Sequence, residues 1–234
     1  GTYYLYYPAK DAENIFRLGV AVSDKPEGPF TPQPEPMKGS YSIDPAVFTD
    51  DDGSAYIYFG GIWGGQLQRW ESGAYDENGS LKDMGVPENP AILPRIAKLS
   101  DDMLEFAEEI KQIEILDKDG NPILTRDLDR RFFEAAWLHK YNGKYYFSYS
   151  TGDTHYICYA IGDNPYGPFT YKGKILNPVV GWTSHHSICK FKGKWYLFYH
   201  DASLSKGVTH LRSVKIAEIN YNDDGTIETL SPYK

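Results

Sequence analysis

The chain has little cysteine and no long apolar segment. Its 234 residues include two cysteines, Cys158 and Cys189, which are too few for a disulfide scaffold. Both lie in apolar, strand-like runs and are interpreted as buried small hydrophobic residues. No apolar run reaches the roughly 20 residues of a membrane span, so no membrane association is expected. Residues 1–10 (GTYYLYYPAK) lack the basic and apolar regions of a signal peptide.

Basic residues are also scarce relative to acidic ones. Lys and Arg number 24 against 32 Asp and Glu, which gives a net charge of −8 and argues against a nucleic-acid partner. Aromatic residues are abundant instead, at 15% of the chain. This composition excludes disordered, collagen-like and coiled-coil chains, and the length suits one domain.

One aromatic pattern occurs four times along the chain. Each copy begins with Gly and continues with alternating aromatic and apolar residues, which is typical of a β-strand. Asp52 and Asn142 precede two of these glycines, and Asp-Gly and Asn-Gly are strong hairpin signals. The copies are residues 1–7 (GTYYLYY), 53–59 (GSAYIYF), 143–149 (GKYYFSY) and 193–199 (GKWYLFY).

Further strands flank these hairpins. One precedes each of the last three copies, and another follows in places, so the repeated unit is a sheet of about four antiparallel strands. Such a unit is a β-propeller blade. We therefore predict an all-β fold, a single propeller domain over 1–234. Its blades are expected at about 1–35, 36–120, 130–175 and 180–234, with 95–100 and 109–116 as outer strands of the second of these.

The first repeat begins at its hairpin glycine, Gly1, and has no inner strand. Four blades that lack one strand cannot close a ring, and the open edge would be exposed. We expect the missing part to be supplied by upstream sequence or by another chain.

The inner strands of a propeller line its central channel, so equivalent positions converge. Asp44 lies nine residues before Gly53, and Glu134 lies nine before Gly143. At the corresponding place in the last blade, Ser184 is followed by His185 and His186. Carboxyl groups that meet in such a place repel each other and lose solvation, which raises a pKa and suits a general acid.

Structural roles remain open for the same residues. Asp44 precedes Pro45 and could cap a turn. Glu134 lies in an apolar run and could pair with Arg130, Arg131 or Arg212. The two histidines could be ordinary channel residues that hold no ion.

Paired carboxylates among aromatic side chains suit glycoside hydrolysis. Trp63, within residues 60–65 (GGIWGG), follows a strand and could present its ring at the mouth of the channel. Trp182 precedes the histidines and is a second candidate, together with His186, for contact with a sugar. Each Trp could equally be a core residue.

These motifs together resemble glycoside hydrolase family 43, whose members are five-bladed propellers that degrade arabinan and xylan. The resemblance rests on SIDPAVF around Asp44, FFEAAWLHK around Glu134, SHHSICKF around His185 and the hairpins GKYYFSYS and GKWYLFYH. It covers the chain from what looks like the second blade to the fifth. The first blade and the inner strand of the second would then be missing.

The resemblance implies an inverting hydrolase with three carboxyl groups. Glu134 matches the general acid, and Asp44 matches the Asp that orients the acid and tunes its pKa. His185 matches a channel histidine that helps to hold a water-ligated calcium or other ion, and Arg212 looks like the arginine that reaches the substrate. The general base belongs to the first blade, so no residue of this chain matches it. No organic cofactor is implied.

The implied substrates are xylose- or arabinofuranose-containing hemicellulose oligosaccharides, cleaved as by a β-xylosidase or α-L-arabinofuranosidase. Alternatives are an endo-arabinanase, a non-catalytic sugar-binding propeller, a retaining hydrolase or fructosyl transferase, and a protein-interaction propeller. The last lacks support because its Gly-His and Trp-Asp signatures are absent. A secreted or periplasmic location is favoured over a cytoplasmic one.

Overall fold

The computed structural model describes residues 1–79, 86–182 and 184–233. These residues form four sheets that follow one another along the chain, together with three single-turn 3₁₀ helices at Trp63–Gly65, Leu67–Trp70 and Gly152–Thr154. The strands are β1 (Tyr3–Lys10), β2 (Phe16–Ser23) and β3 (Thr31–Pro32) in the first sheet; β4 (Ala46–Thr49), β5 (Ala55–Phe59), β6 (Arg95–Lys98) and β7 (Lys111–Gln112) in the second; β8 (Ile115–Leu116), β9 (Glu134–Tyr141), β10 (Lys144–Ser150), β11 (Ile157–Gly162) and β12 (Phe169–Leu176) in the third; and β13 (His186–Phe191), β14 (Lys194–Asp201) and β15 (Ser213–Ile219) in the fourth.

The predicted hairpins are confirmed at the last three aromatic repeats, and two of these hairpins have a two-residue turn. Asn142 and Gly143 have φ values of +48° and +74°, and Lys192 and Gly193 have +48° and +84°. Two positive φ values in a two-residue loop define the type I′ turn, whose twist matches that of the flanking strands. The turns fix the register, since Tyr141 pairs with Lys144 directly across the first of them.

The expectation of one outer strand over residues 109–116 was wrong. The segment forms two short strands in different sheets: β7 pairs antiparallel with β6, whereas β8 pairs parallel with β12. Ile115 is buried in the same apolar cluster as Phe169, its partner across the β8–β12 ladder. Burial of this side chain between the second and third sheets accounts for the crossing.

Three clusters of buried side chains fill the spaces between neighbouring sheets. Leu18 and Phe59 belong to the cluster between the first and second sheets, Tyr58 and Phe147 to the next, and Tyr159 to the one between the third and fourth. The aromatic repeats therefore supply much of the core, as their large apolar area would favour.

The two cysteines have different environments. Cys158 is buried as expected, but Cys189 is exposed. The expectation failed there because Cys189 lies on the face of the fourth sheet that points away from the packed core. Ile188, its neighbour in β13, points the other way and is buried.

Strands β4, β9 and β13 are each the edge strand of their sheet, and β9 contacts both of the others. The beginnings of these three strands therefore converge at one place. In the part of the chain that the structure describes, no helix has the length and apolar character required to span a membrane.

Candidate active site

The structure brings Asp44, Glu134 and His185 together. Asp44 lies just before β4, Glu134 is the first residue of β9, and His185 lies just before β13. The Nε2 atom of His185 lies 3.3 Å from Oε1 of Glu134 and 3.6 Å from Oδ2 of Asp44. One ligand atom from each of the three residues lies within 4.8 Å of the others. The backbone N–H of Ala135 donates a hydrogen bond of 3.3 Å to Oδ2 of Asp44.

A glycine-rich turn, residues 60–65, rests directly on the segment that carries Asp44. A Cβ atom on Gly61 or Gly65 would lie 2.7 Å from Cδ1 of Ile43, so a larger residue at either position would force the Ile43 side chain to shift. The Ser42 hydroxyl accepts a hydrogen bond of 3.0 Å from the N–H of Gly61 and donates one of 2.8 Å to the carbonyl of Gly65. The turn is thus fixed beside the two carboxyl groups.

Burial and charge shift the pKa values in this group. Burial raises the pKa of Asp44 to about 6; the charge of Glu134 acts in the same direction, while His185, the Ala135 N–H and Arg212 act against it. Burial alone would lower the pKa of His185. The hydrogen bond to Glu134 and the charges of both carboxylates outweigh this effect and raise its pKa above the usual value.

Arg212 reaches the same site through a histidine that the sequence reasoning missed. Nη1 of Arg212 lies 3.3 Å from Nε2 of His200, which also accepts a hydrogen bond of 3.1 Å from the backbone N–H of His185. Burial, together with Arg212 and His185, lowers the pKa of His200 to about 4, so its ring is neutral. His200 is the seventh residue after Gly193, as Ser150 is after Gly143, and this repeat position was the signal that could have found it.

His186 does not join the site. Its Nε2 atom hydrogen-bonds Oγ of Ser148 at 2.6 Å, and burial, together with His185, lowers its pKa to about 3. Successive residues of a strand point to opposite faces, so His185 and His186 cannot both face the same cavity. Among the residues placed in the site by sequence, His186 alone lies outside the pocket lining.

A pocket of about 360 Å³ opens above the two carboxyl groups, within the range of small-molecule sites. Three aromatic rings form one wall: Trp63 and Trp182 are stacked at 6.4 Å and 25°, and Phe133 meets Trp63 edge-on at 5.1 Å. Trp182 is 39% exposed, which leaves part of its surface open to a ligand. The lining consists of Ile43, Asp44, Ile62, Trp63, Gly64, Gly65, Phe133, Glu134, Trp182, His185 and Arg212.

The spacing of the carboxyl groups limits the chemistry that they can perform alone. An inverting glycosidase holds its acid and base about 6.5–9.5 Å apart so that a water molecule fits between them. Oxygen atoms of Asp44 and Glu134 lie within 4.8 Å of each other, too close for that arrangement. No other carboxylate lies among the described lining residues. An inverting reaction here therefore needs a third carboxyl group.

The same three side chains could hold a divalent cation. Two carboxylates and one imidazole converge, and their ligand atoms lie within 4.8 Å of one another. Calcium takes six to eight ligands, nearly all oxygen, so these donors fit it only if water completes the shell.

A sequence model of glycosyl hydrolases family 43 matches residues 1–227. The chain belongs to this family. Xylosidase/arabinosidase 43A of Humicola insolens is 65% identical over 99% of this chain and 72% of its own length. A xylosidase/arabinosidase of Bacteroides ovatus is 63% identical over 98% of the chain and 70% of its own length.

Solved structures of this family share the fold. A family 43 β-xylosidase/α-arabinofuranosidase from a compost metagenome, in complex with xylotriose in a calcium-free form, is 70% identical with a TM-score of 0.97. This chain aligns over its whole length and covers 71% of that structure. A family 43 enzyme from Xanthomonas citri is 56% identical, with a TM-score of 0.96 and coverage of 100% and 70%. The predicted all-β propeller fold is thereby confirmed.

Proposed function

We propose that this glycoside hydrolase releases xylose or arabinofuranose from hemicellulose oligosaccharides by inversion, with Glu134 as the general acid. The observation that carries the proposal is the position of Glu134. Its carboxyl group is largely buried beside the aromatic pocket and in contact with His185. A buried carboxyl group beside a second carboxylate is well suited to protonate a leaving glycosidic oxygen.

Asp44 acts on Glu134 rather than on the sugar. Its negative charge favours the protonated form of Glu134, and its hydrogen bond from the Ala135 N–H fixes the start of β9. His185 stabilises both carboxylates when protonated. Arg212, held by His200, lines the pocket and is available to a sugar hydroxyl. Trp63 and Trp182 provide apolar faces for the pentose ring.

The general base is proposed to come from polypeptide outside these 234 residues. Two observations support this: the described lining lacks a third carboxylate, and the chain covers only about seven tenths of its solved relatives. The added part would form a fifth blade and complete the sheet that begins with β1.

Two exposed apolar faces support a blade that closes the ring. On β15, Val214 and Ile216 are 76% and 60% exposed, on the face opposite the buried Ile219. On β1, Leu5 is 49% exposed, whereas its neighbour Tyr6 packs on the core between the first two sheets. A further sheet between the first and fourth sheets would cover both faces and remove their unfavourable contact with water.

A matched pair of preparations tests this. Residues 1–234 alone should hydrolyse no aryl xyloside or arabinofuranoside, while the chain with its missing blade should do so.

Calcium is proposed as the ion of this site. The residue that would hold it is His185, with water as the remaining ligands, because Glu134 must keep its proton to act as the acid. A bound cation would supply positive charge near the ionised carboxylate of Asp44.

Glu134→Gln in the complete protein tests the acid role. We expect kcat on xylobiose to fall by roughly 10²–10⁴, the usual value of general acid catalysis. Hydrolysis of a 2,4-dinitrophenyl β-xyloside should fall much less, because that leaving group needs no proton. The exposed Glu109→Gln is the matched control. Equal losses of activity on both substrates would contradict the acid role. If the unaltered protein binds sugar but does not hydrolyse it, the non-catalytic alternative is favoured.

A further inference from the structure

Trp63 holds its place in the pocket wall with a backbone conformation that bulky residues rarely adopt. Its φ angle is +57°, in the left-handed region. A large side chain there is strained and persists only when the surroundings hold it. Trp63 lies at the start of a single-turn 3₁₀ helix, and the preceding residue, Ile62, gives that helix no side-chain cap. The restraint must therefore come from elsewhere.

The backbone N–H of Gln66 donates a hydrogen bond of 2.9 Å to the Trp63 carbonyl, and the side chain of Gln68 supplies the further restraint. Its Oε1 atom accepts a hydrogen bond of 2.9 Å from the backbone N–H of Trp63, and its Nε2 atom donates one of 3.1 Å to the Trp63 carbonyl. One amide group thus binds both backbone polar groups of a single residue. Gln68 is only 8% exposed, so water competes poorly for these hydrogen bonds.

A second glutamine fixes the base of the same turn. Gln66 is buried; its Oε1 atom accepts a hydrogen bond of 2.9 Å from the N–H of Phe16, and its Nε2 atom donates one of 3.0 Å to the carbonyl of Asn14. The turn is therefore anchored to the first sheet by Gln66, while Gln68 acts on Trp63 alone. This division makes Gln68 the more specific residue to alter.

The Trp63 ring is one of the three that form the pocket wall. It meets Phe133, the residue before Glu134, edge-on at 5.1 Å, and it stacks on the exposed Trp182. Rotation of the Trp63 backbone out of the left-handed region would move its ring away from both. Gln68 itself does not line the pocket.

We propose that Gln68 is a positioning residue that sets the affinity of the pocket for its sugar by holding Trp63, and that it takes no part in bond cleavage. The proposal rests on the proposed function for its ligand, a pentose at the end of an oligosaccharide. Gln68 is buried and does not line the pocket, so it acts on the sugar only through the ring of Trp63.

A double-mutant cycle in the complete protein tests this. Gln68→Leu preserves side-chain size and removes both hydrogen bonds. We expect KM for xylobiose to rise about tenfold, because a buried pair of hydrogen bonds is lost. The value of kcat should stay within about twofold of that of the unaltered protein. In a Trp63→Ala background the same substitution should leave KM unchanged. Gln68→Glu retains the acceptor for the Trp63 N–H and should give an intermediate KM. Gln112→Leu, at an exposed glutamine of β7, is the matched control.

Iodide quenching of tryptophan fluorescence gives a readout independent of turnover. Gln68→Leu should increase quenching over the unaltered protein and over Gln112→Leu, and this increase should vanish in the Trp63→Ala background. An equal rise in KM with or without Trp63, or quenching that does not change, would overturn the proposal. If Gln68→Leu does not fold, Gln68→Glu replaces it in the double-mutant cycle with Trp63→Ala. If the unaltered protein hydrolyses no pentoside, the proposed function fails, and the quenching cycle still decides whether Gln68 holds Trp63.

Discussion

Replacement of Asp44 by Asn tests how the two carboxyl groups are coupled. Their oxygen atoms lie within 4.8 Å of each other. At an effective dielectric constant of about 20, two unit charges at this distance repel by about 3.5 kcal/mol. His185, about a third exposed, offsets part of this repulsion. A net effect of roughly 1.5–3 kcal/mol corresponds to about one to two pH units.

The sign of the effect follows from the role of Glu134. The acid must be protonated to act, and the negative charge of Asp44 opposes loss of its proton. Asp44→Asn removes that charge, so the alkaline limb of the kcat/KM profile should move to lower pH by about one to two units. Near neutral pH the rate should fall roughly 10–100-fold, and the loss should shrink as the pH is lowered.

The assay is the pH dependence of kcat/KM on xylobiose, with calcium held constant. Asp101→Asn, at an exposed aspartate, is the matched control and should leave the profile unchanged. A rate loss of the same size at every pH would refute the reasoning, because Asp44 would then act by a route other than its charge on Glu134.

Two further predictions concern stability. Burial lowers the pKa of His139 to about 3, so its proton binds more tightly in the unfolded chain; the contribution of His139 to stability is complete above pH 6.5 and is about 2 kcal/mol smaller at pH 5. The free energy of unfolding, measured with denaturant at pH 7 and pH 5, should show a smaller loss in His139→Gln and the same loss in the exposed His210→Gln. A loss in His139→Gln as large as in the unaltered protein would contradict the role given to His139. Calcium at about 100 times its Kd should stabilise the complete protein by about 2.7 kcal/mol, seen as a rise in Tm that chelator reverses. The rise should disappear in His185→Ala, and a rise that survives there would place the ion elsewhere.

Local sequence signals predicted most of the strands. The Gly-led aromatic repeats predicted the hairpins, because turn signals such as Asp-Gly and Asn-Gly act within a few residues. The two-sheet division of residues 109–116 was not predictable in this way. It depends on burial of Ile115 against Phe169, more than 50 residues away in sequence.

The site was predicted in part by the spacing of equivalent residues in the repeats. That spacing placed Asp44, Glu134 and His185 on neighbouring inner strands, and the structure brings their side chains together. It could not decide between His185 and His186, since one position along a strand reverses the direction of a side chain. The repeat position of His200 could have indicated its role, but the role of Gln68 depends on hydrogen bonds to the backbone of Trp63 that no local pattern reveals.

The anomeric configuration of the first product tests the central claim most directly. Proton NMR during hydrolysis of a β-xyloside by the complete protein should show α-xylose first, because a water molecule activated by a third carboxylate attacks opposite the leaving group that Glu134 protonates. β-Xylose as the first product would mean retention. It would contradict this account and make Asp44, within 4.8 Å of Glu134, the candidate nucleophile.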